Sequence, residues 1–399
     1  MRNPRSLLHS SNDTTQSFHV AWGRRFGGFL FRLALVGCHL WVVVVGSPPE
    51  FRAAGTGLSV AHVVRDEPWS IHIVRVDRTQ SSLQFCPSLA FHDRIGLNTL
   101  SEQVSLFPKS LGTPVAAING DFYAIENDPM PGDPRGLFIQ RSQLISAPIE
   151  RDCLWFDLSG KPQINTVRPR FSLRVGESAP QEFGLNEDFD GSRPVVLTRA
   201  SSRAIESDPS PGWILTREGS HPWLPLKAGQ RIRGLVQGRV QGHSFPQDPD
   251  SLILRAGTSL RDHLRPGTPV FLETLTEPSL ESAVSAIGGG PALVHLSKPT
   301  GKSAARSFER HPRSAFGWNE RHCFLVVVDG RQAGLSVGMT LAELSDFFIG
   351  LGCQEAINLD GGGSTELILG DQVLNSPCYG RERSTASGLL VVRVPVPRS

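Results

Sequence analysis

The sequence predicts an α/β (α+β) protein: a mixed β-sheet core with β-α-β units and a β-rich middle section. Three observations carry that expectation. Near the carboxyl terminus an apolar strand at 323–328, a capped helical period at 341–351 and a second apolar strand at 356–359 follow one another, an order that predicts parallel strands joined by a crossover. An earlier stretch echoes it, Thr99-Leu-x-Glu102, Leu111-Gly112 and Ala117-Ile-Asn-x-Asp121 answering Thr340-Leu-x-Glu343, Leu351-Gly352 and Ala356-Ile-Asn-x-Asp360. Between them, residues of about 130–287 hold many short apolar runs broken by Gly and Pro, of which the chain has 40 and 30, and this favours turns and short strands.

Taken in order, the first segment differs in kind from the rest. Arg24 and Arg25 precede an apolar run over 26–45, interrupted by Arg32 and His39 and ending in small residues and prolines, so residues 1–46 read as an export signal. Val44-x-Gly46 suits cleavage. Leu35-Val-Gly-Cys38 also resembles a lipoprotein box, although the apolar run continues past Cys38. About 20 apolar residues can also span a bilayer. Soluble export ranks first, an uncleaved anchor second and a lipoprotein third; each places the protein outside the cytoplasm, and residues 26–45 offer a route to membrane association. Residues 47–67 read as a linker, and 68–395 as one domain that includes the β-rich section at about 150–285.

At 399 residues and 39% hydrophobic, the chain is long enough for one large or two ordinary cores. Loss of residues 1–46 removes five Arg and one Asp and leaves a near-neutral protein. No basic stripe remains for nucleic-acid binding. Five cysteines follow the signal, Cys86, Cys153, Cys323, Cys353 and Cys378, an odd number that leaves at least one unpaired, and their spacing gives no zinc motif.

After the linker, 69–76 is a β-rich run ending at Asp77. Thr99 and Glu102 form a capping box for a short helix from Leu100 to about Phe107, and "PVAAIN" is a strand running into Gly120-Asp-Phe-Tyr123. In the last third, Thr340 and Glu343 cap a helix whose Leu341, Leu344, Phe347, Phe348 and Leu351 follow the helical period, with Gly352 at its end. "TELILGDQVL" reads as a hairpin turning at Gly370-Asp371.

The chemistry-bearing residues gather at strand ends. Asp329 and Asp360 follow two strands expected to be parallel, where ligands of open α/β sheets bind. Gly361, Gly362 and Gly363 after Asp360 permit close backbone approach, and Gly289 lies in a second glycine turn, "IGGGP". Arg313 and Arg331 offer guanidinium groups suited to phosphate. Two further patterns are set aside: Gly334-x-Ser336-x-Gly338 lacks a strand leading into the serine, and Gly301-Lys302-Ser303 lacks the glycine of a phosphate-binding loop.

Together these segments resemble the phosphodiester glycosidase family. "IGGGPALV", "HPRSAFG", "LVVVDGRQAGLSVGMTLAEL", "AINLDGGGST" and "NSPCYGRERSTASGLLVV" occur in the family's order and at similar spacing. "IHIVRVDR" and "NGDFY" are also similar to family segments, so the match runs over about 68–395. Where the family pattern commonly has Gly, this chain has Asp121, and the chemistry is not rested on that residue. The resemblance implies hydrolysis of a sugar 1-phosphodiester at the anomeric carbon, releasing free sugar and a phosphomonoester from an envelope glycan or exopolysaccharide. Asp360 is then nucleophile or base with Asp329 as partner; Arg313 and Arg331 take the phosphate; Asn119, Asn358 and Ser364 position the substrate beside the glycines. No cofactor is required, while an Asp pair with Asn has donors for Mg2+ or Ca2+. The alternatives are a non-catalytic envelope glycan-binding protein and a metal-dependent phosphodiesterase.

Overall fold

The computed structural model describes residues 48–66, 68–202, 211–220, 223–240, 245–304 and 308–395. The export segment, 1–46, lies outside the described residues. Among those described, no helix is long and apolar enough to cross a membrane.

Among the described residues the fold is mostly β, in four sheets dominated by antiparallel pairing, with no β-α-β unit. This overturns the α/β expectation. An eight-stranded sheet runs in the order Arg52–Gly55, Leu58–Arg65, Trp69–Asp77, His322–Val328, Arg313–Trp318, Glu355–Asn358, Ala292–His295, Lys298–Pro299. The stretch read as a linker, 47–67, thus supplies its first two strands.

The expected crossover fails because of one strand. Arg313–Trp318 turns tightly into His322–Val328 and pairs antiparallel both with it and with Glu355–Asn358, separating the two strands expected to be neighbours. Its sequence, Arg-Ser-Ala-Phe-Gly-Trp, is poor in β-branched residues and gives little strand signal. The flanking strands still run in the same direction, so their carboxyl ends share one edge of the sheet. The echo fails more completely: Trp69–Asp77, the strand ahead of its first copy, belongs to the eight-stranded sheet, whereas Thr113–Asn119 is the centre of a five-stranded sheet with Leu367–Leu369 and Ser387–Arg393 on either side. The two segments are not copies of one crossover.

The middle of the chain forms a seven-stranded sheet, antiparallel except where Gly184–Leu185 meets Val195–Leu197. Its apolar face continues into a second five-stranded sheet, since Leu173, Leu215 and Leu272 share one buried cluster with Ile139, Trp155 and Ala286. The helix Leu341–Gly350 packs on the eight-stranded sheet. Thr340 Oγ1 accepts from Glu343 N–H and the Glu343 carboxylate accepts from Thr340 N–H, completing the cap. Leu344, Phe347 and Phe348 then bury against Val326, Val328 and Ala356, each large side chain contributing roughly 1.5–3 kcal/mol.

Gly317 makes this packing possible. A Cβ there would lie 2.6 Å from the ring of fully buried Phe348 and 3.0 Å from the Glu355 carbonyl oxygen. Gly317→Ala is therefore expected to destabilise the fold by about 1–3 kcal/mol, read as a lower denaturant midpoint. An unchanged midpoint would show that the helix can shift freely.

Candidate active site

Four of the sequence motifs meet at one edge of the eight-stranded sheet. Val328 is opposite Arg313, Asn358 is opposite Ala315, and Ala292 is opposite Ile357. This register brings together the turn after Val328, the segment before Arg313, the glycines after Asp360 and the turn before Ala292. The other sheet contributes Asn119, whose carboxamide nitrogen donates to the Asp360 carbonyl at 2.7 Å, while Asp360 N–H donates to the Gly120 carbonyl at 3.0 Å.

Asp360 sits among the chain's own donors. Gly361 N–H donates to its Oδ1 at 2.9 Å and Ser364 adds a side-chain hydrogen bond, yet burial outweighs these and pushes its pKa up to about 6. The charges of Arg383 and Arg151 act in the opposite direction. Arg151 also holds the second carboxylate: its Nη2 lies 3.1 Å from Asp121 Oδ1 and donates to the Gly289 carbonyl at 2.9 Å. Asp121 is fully buried, and desolvation together with the nearby Asp360 charge raises its pKa to about 7 despite Arg151. Its Oδ2 has no hydrogen-bond partner.

Asp121, on which the sequence rests no chemistry, is therefore a buried carboxylate bonded to Arg151 and within reach of the Asp360 charge. One signal for it was present in the glycine turns. A Cβ at Gly288 would lie 1.9 Å from Asp121 Oδ2 and one at Gly136 would lie 2.5 Å away, so both glycines make room for this carboxylate. Arg151 carried no motif at all.

The Asp121 charge has a cost that can be measured. Between about pH 4 and 7 the folded state binds the Asp121 proton and the unfolded chain does not, so this group's contribution to stability falls as pH rises through that window. Asp121→Asn removes the titration. It is expected to stabilise the protein at pH 8 by roughly 1–3 kcal/mol, with the difference vanishing near pH 4. Thermal unfolding at the two pH values checks this.

The glycine turn serves the chain's own contacts. A Cβ at Gly361 would lie 2.7 Å from the Pro312 carbonyl oxygen and one at Gly363 would lie 2.4 Å from the Tyr379 ring. Gly362 has φ +61°, and the Arg331 guanidinium lies 3.2 Å from where its Cβ would be. Arg331 itself takes φ +58° and places Nη2 3.3 Å from His311 Nδ1. Ser364 is buried, 3.5 Å from the Tyr123 hydroxyl, which donates to the Ser384 carbonyl at 2.9 Å.

A cleft of about 580 Å3 opens beside Arg151, with Gly289, Asn358, Phe122, Arg313 and Lys302 in its wall. Lys302 is neutralised by Asp152 at 2.7 Å. Arg313 differs. It is 9% exposed, its Nε donates to the Met339 carbonyl at 2.8 Å and its Nη2 to the Glu309 carbonyl at 3.1 Å. Burial and the neighbouring Arg331 charge lower its pKa to about 10. A buried guanidinium bonded to carbonyls, beside a second cation, is poised for an anion.

Of the remaining assigned residues, Asn358 lines the cleft and Asp329 and Asn119 do not. Asp329 follows the strand His322–Val328 at the same edge, but its oxygens are taken by Ser70 Oγ at 2.8 Å, His72 Nε2 at 3.1 Å and Ser376 N–H at 2.8 Å. Those bonds hold its pKa below the usual carboxylate range although burial opposes them. This carboxylate ties strands together. Asn119 is fully buried, with Oδ1 accepting from Ser314 Oγ and Glu366 N–H, and it sits behind Asp360 rather than in the cleft wall. Asn358 does line the cleft; its Nδ2 donates to Gly290 and Leu359 carbonyls and its Oδ1 has no partner. Ser336, from the discarded serine pattern, is buried and donates to the Asp329 carbonyl. Among the described residues, no group of three His, Cys, Asp or Glu is arranged to hold a metal ion.

Arg151 and Arg313 line this cleft, and Arg151 links it to the buried Asp121 behind. Residues 236–392 match the model of the phosphodiester glycosidase family, so the chain carries a domain of that family. Asp121 and Arg151 come from outside the matched segment. The chain is 32% identical over 83 residues to SPbeta prophage-derived uncharacterized protein YomE of Bacillus subtilis, a match covering 21% of this chain and 13% of that protein. Its fold is similar to the crystal structure of a hypothetical protein from Synechocystis, with a TM-score of 0.66 at 18% identity over 87% of this chain and 64% of the other. It is also similar to a protein of Burkholderia pseudomallei described as a putative exported protein, with a TM-score of 0.60 at 19% identity over 82% and 74% of the two chains. At these identities the two structures speak to the fold alone.

Proposed function

We propose that the protein hydrolyses the glycosidic C–O bond of a sugar 1-phosphodiester outside the cytoplasm, releasing free sugar and a phosphomonoester. The observation that carries this reading is the Asp121, Arg151 and Asp360 constellation beside the anion-ready Arg313. Arg313 and Arg331 bind the phosphate. As the bond between the anomeric carbon and oxygen breaks, the phosphate oxygen keeps the electron pair. A phosphomonoester has a second pKa near 6, so it leaves with little help from a proton donor. Asp360 takes a proton from the attacking water or adds to the anomeric carbon itself, and Arg151 stabilises the two carboxylates as charge moves between them.

A synthetic sugar 1-(methyl phosphate) tests the reading. Free sugar and methyl phosphate are the expected products, whereas sugar 1-phosphate and methanol would overturn it. Envelope glycans and exopolysaccharides are the substrate class that export of the chain favours, and the domain that follows a signal over 1–46 includes the two strands before residue 68.

A further inference from the structure

A second cleft, of about 360 Å3, lies against the same two segments as the first: Phe122 and Glu150 line one, Ala124 and Ile149 the other. Its wall carries five carboxylates, Asp128, Asp133, Glu187, Asp188 and Asp190, against two guanidiniums, Arg135 and Arg193. Both guanidiniums are committed, Arg135 to Asp128 at 2.8 Å and Arg193 to Glu187 at 2.5 Å. Asp190 Oδ1 is occupied by the Ser192 N–H and hydroxyl. Negative charge is left over in the wall.

Asp133 stands out within it. It is 8% exposed, it lines the cleft, and its Oδ1 has no hydrogen-bond partner. An unsatisfied buried acceptor costs on the order of 1–3 kcal/mol, which a ligand carrying a donor relieves. Burial and the charges of Glu187 and Asp188 raise the Asp133 pKa well above the usual carboxylate range, and a cation bound there would favour loss of its proton. The geometry selects the kind of cation. The carboxylates are spread around the wall, and no three acidic or His/Cys groups among the described residues converge as a metal ion requires. An ammonium group on a carbon skeleton, with three N–H donors, suits such a wall, and Met130 and Ile149 offer apolar surface to the skeleton.

We propose that this cleft binds a protonated primary amine carried by the substrate beside its phosphodiester. The amine site stands on Asp133 and its neighbours; its place in the substrate rests on the glycosidase reading of the first cleft. The amine belongs either to an amino sugar or to an amino alcohol esterified to the phosphate.

Calorimetric titration of the full chain tests this, using glucosamine and ethanolamine as probes, glucose and N-acetylglucosamine as neutral controls, and Ca2+ alone. The amines are expected to bind at least tenfold more tightly than the neutral sugars, with proton release visible as a buffer-dependent heat. Asp133→Asn is expected to weaken amine binding at least tenfold, and Asp188→Asn, at an exposed position, to weaken it less. Tighter glucosamine than ethanolamine binding puts the amine on the sugar; the reverse order puts it on the alcohol. Equal binding of glucosamine and glucose, unchanged amine affinity in both folded variants, or displacement of the amine by Ca2+ would overturn the proposal. Amine binding without cleavage of any sugar phosphodiester upholds the cleft and sinks the glycosidase reading; cleavage without amine binding does the opposite.

Discussion

Asp360→Asn lowers kcat for sugar 1-phosphodiester cleavage by at least about 10^3-fold and leaves the fold intact. The substitution keeps the side-chain volume, the bond from Gly361 N–H and the turn beyond it, and removes only a charge that burial already disfavours. Burial pushes Asp360 up to about 6 and Asp121 up to about 7, and the Asp360 charge adds to the Asp121 shift, so the two carboxylates are expected to lose their protons in two steps. Deprotonation of the pair's first step makes the base or nucleophile available. Loss of the second proton adds another charge beside Arg151. The profile of kcat/KM against pH is accordingly expected to peak between about 6 and 7. Asp121→Asn should remove the alkaline limb. Activity of Asp360→Asn within a few-fold of wild type would exclude that carboxylate from the chemistry.

Arg313→Lys lowers kcat/KM by about 10^2-fold, the loss appearing with substrates that carry the phosphate and not with the thermal midpoint as its cause. Lys retains a positive charge but loses the planar fork that holds the Met339 and Glu309 carbonyls while leaving the remaining edge for the cleft. Inorganic phosphate is expected to inhibit wild type and to inhibit the variant far more weakly. Equal inhibition of both would place the anion elsewhere, Arg151 being an alternative in the same wall.

Much of the site was legible because short turns leave strong local signals. The turns after Val328 and Asp360 reach one sheet edge, as the strand ends read from the sequence suggested, and the "IGGGP" turn and His311-Pro312-Arg313 join them there. What could not be read was which strand lies between which. A strand without β-branched residues, Arg313–Trp318, separates the two that were expected to pair, and one antiparallel insertion converts an apparent crossover into a mostly β sheet. Asp329 illustrates the same limit at the level of one residue. Its position at a strand end resembles that of Asp360, yet donors from Ser70, His72 and Ser376, remote in sequence, make it a structural tie. Arg151 was invisible for the converse reason: it precedes an ordinary strand and acquires its role only by reaching Asp121 and Gly289. The stacked rings of His62 and His72, 4.1 Å apart beside Ser70 and Asp329, likewise form a contact across neighbouring strands that no local pattern announces.

The central claim is that the bond broken is the one between the anomeric carbon and oxygen, and turnover in heavy-oxygen water tests it most directly. Mass spectrometry of the products of a sugar 1-phosphodiester is predicted to find the heavy oxygen on the sugar and none on the phosphomonoester. Heavy oxygen on the phosphate would instead mean attack at phosphorus, and the assignment of Asp360 to the anomeric carbon would be wrong.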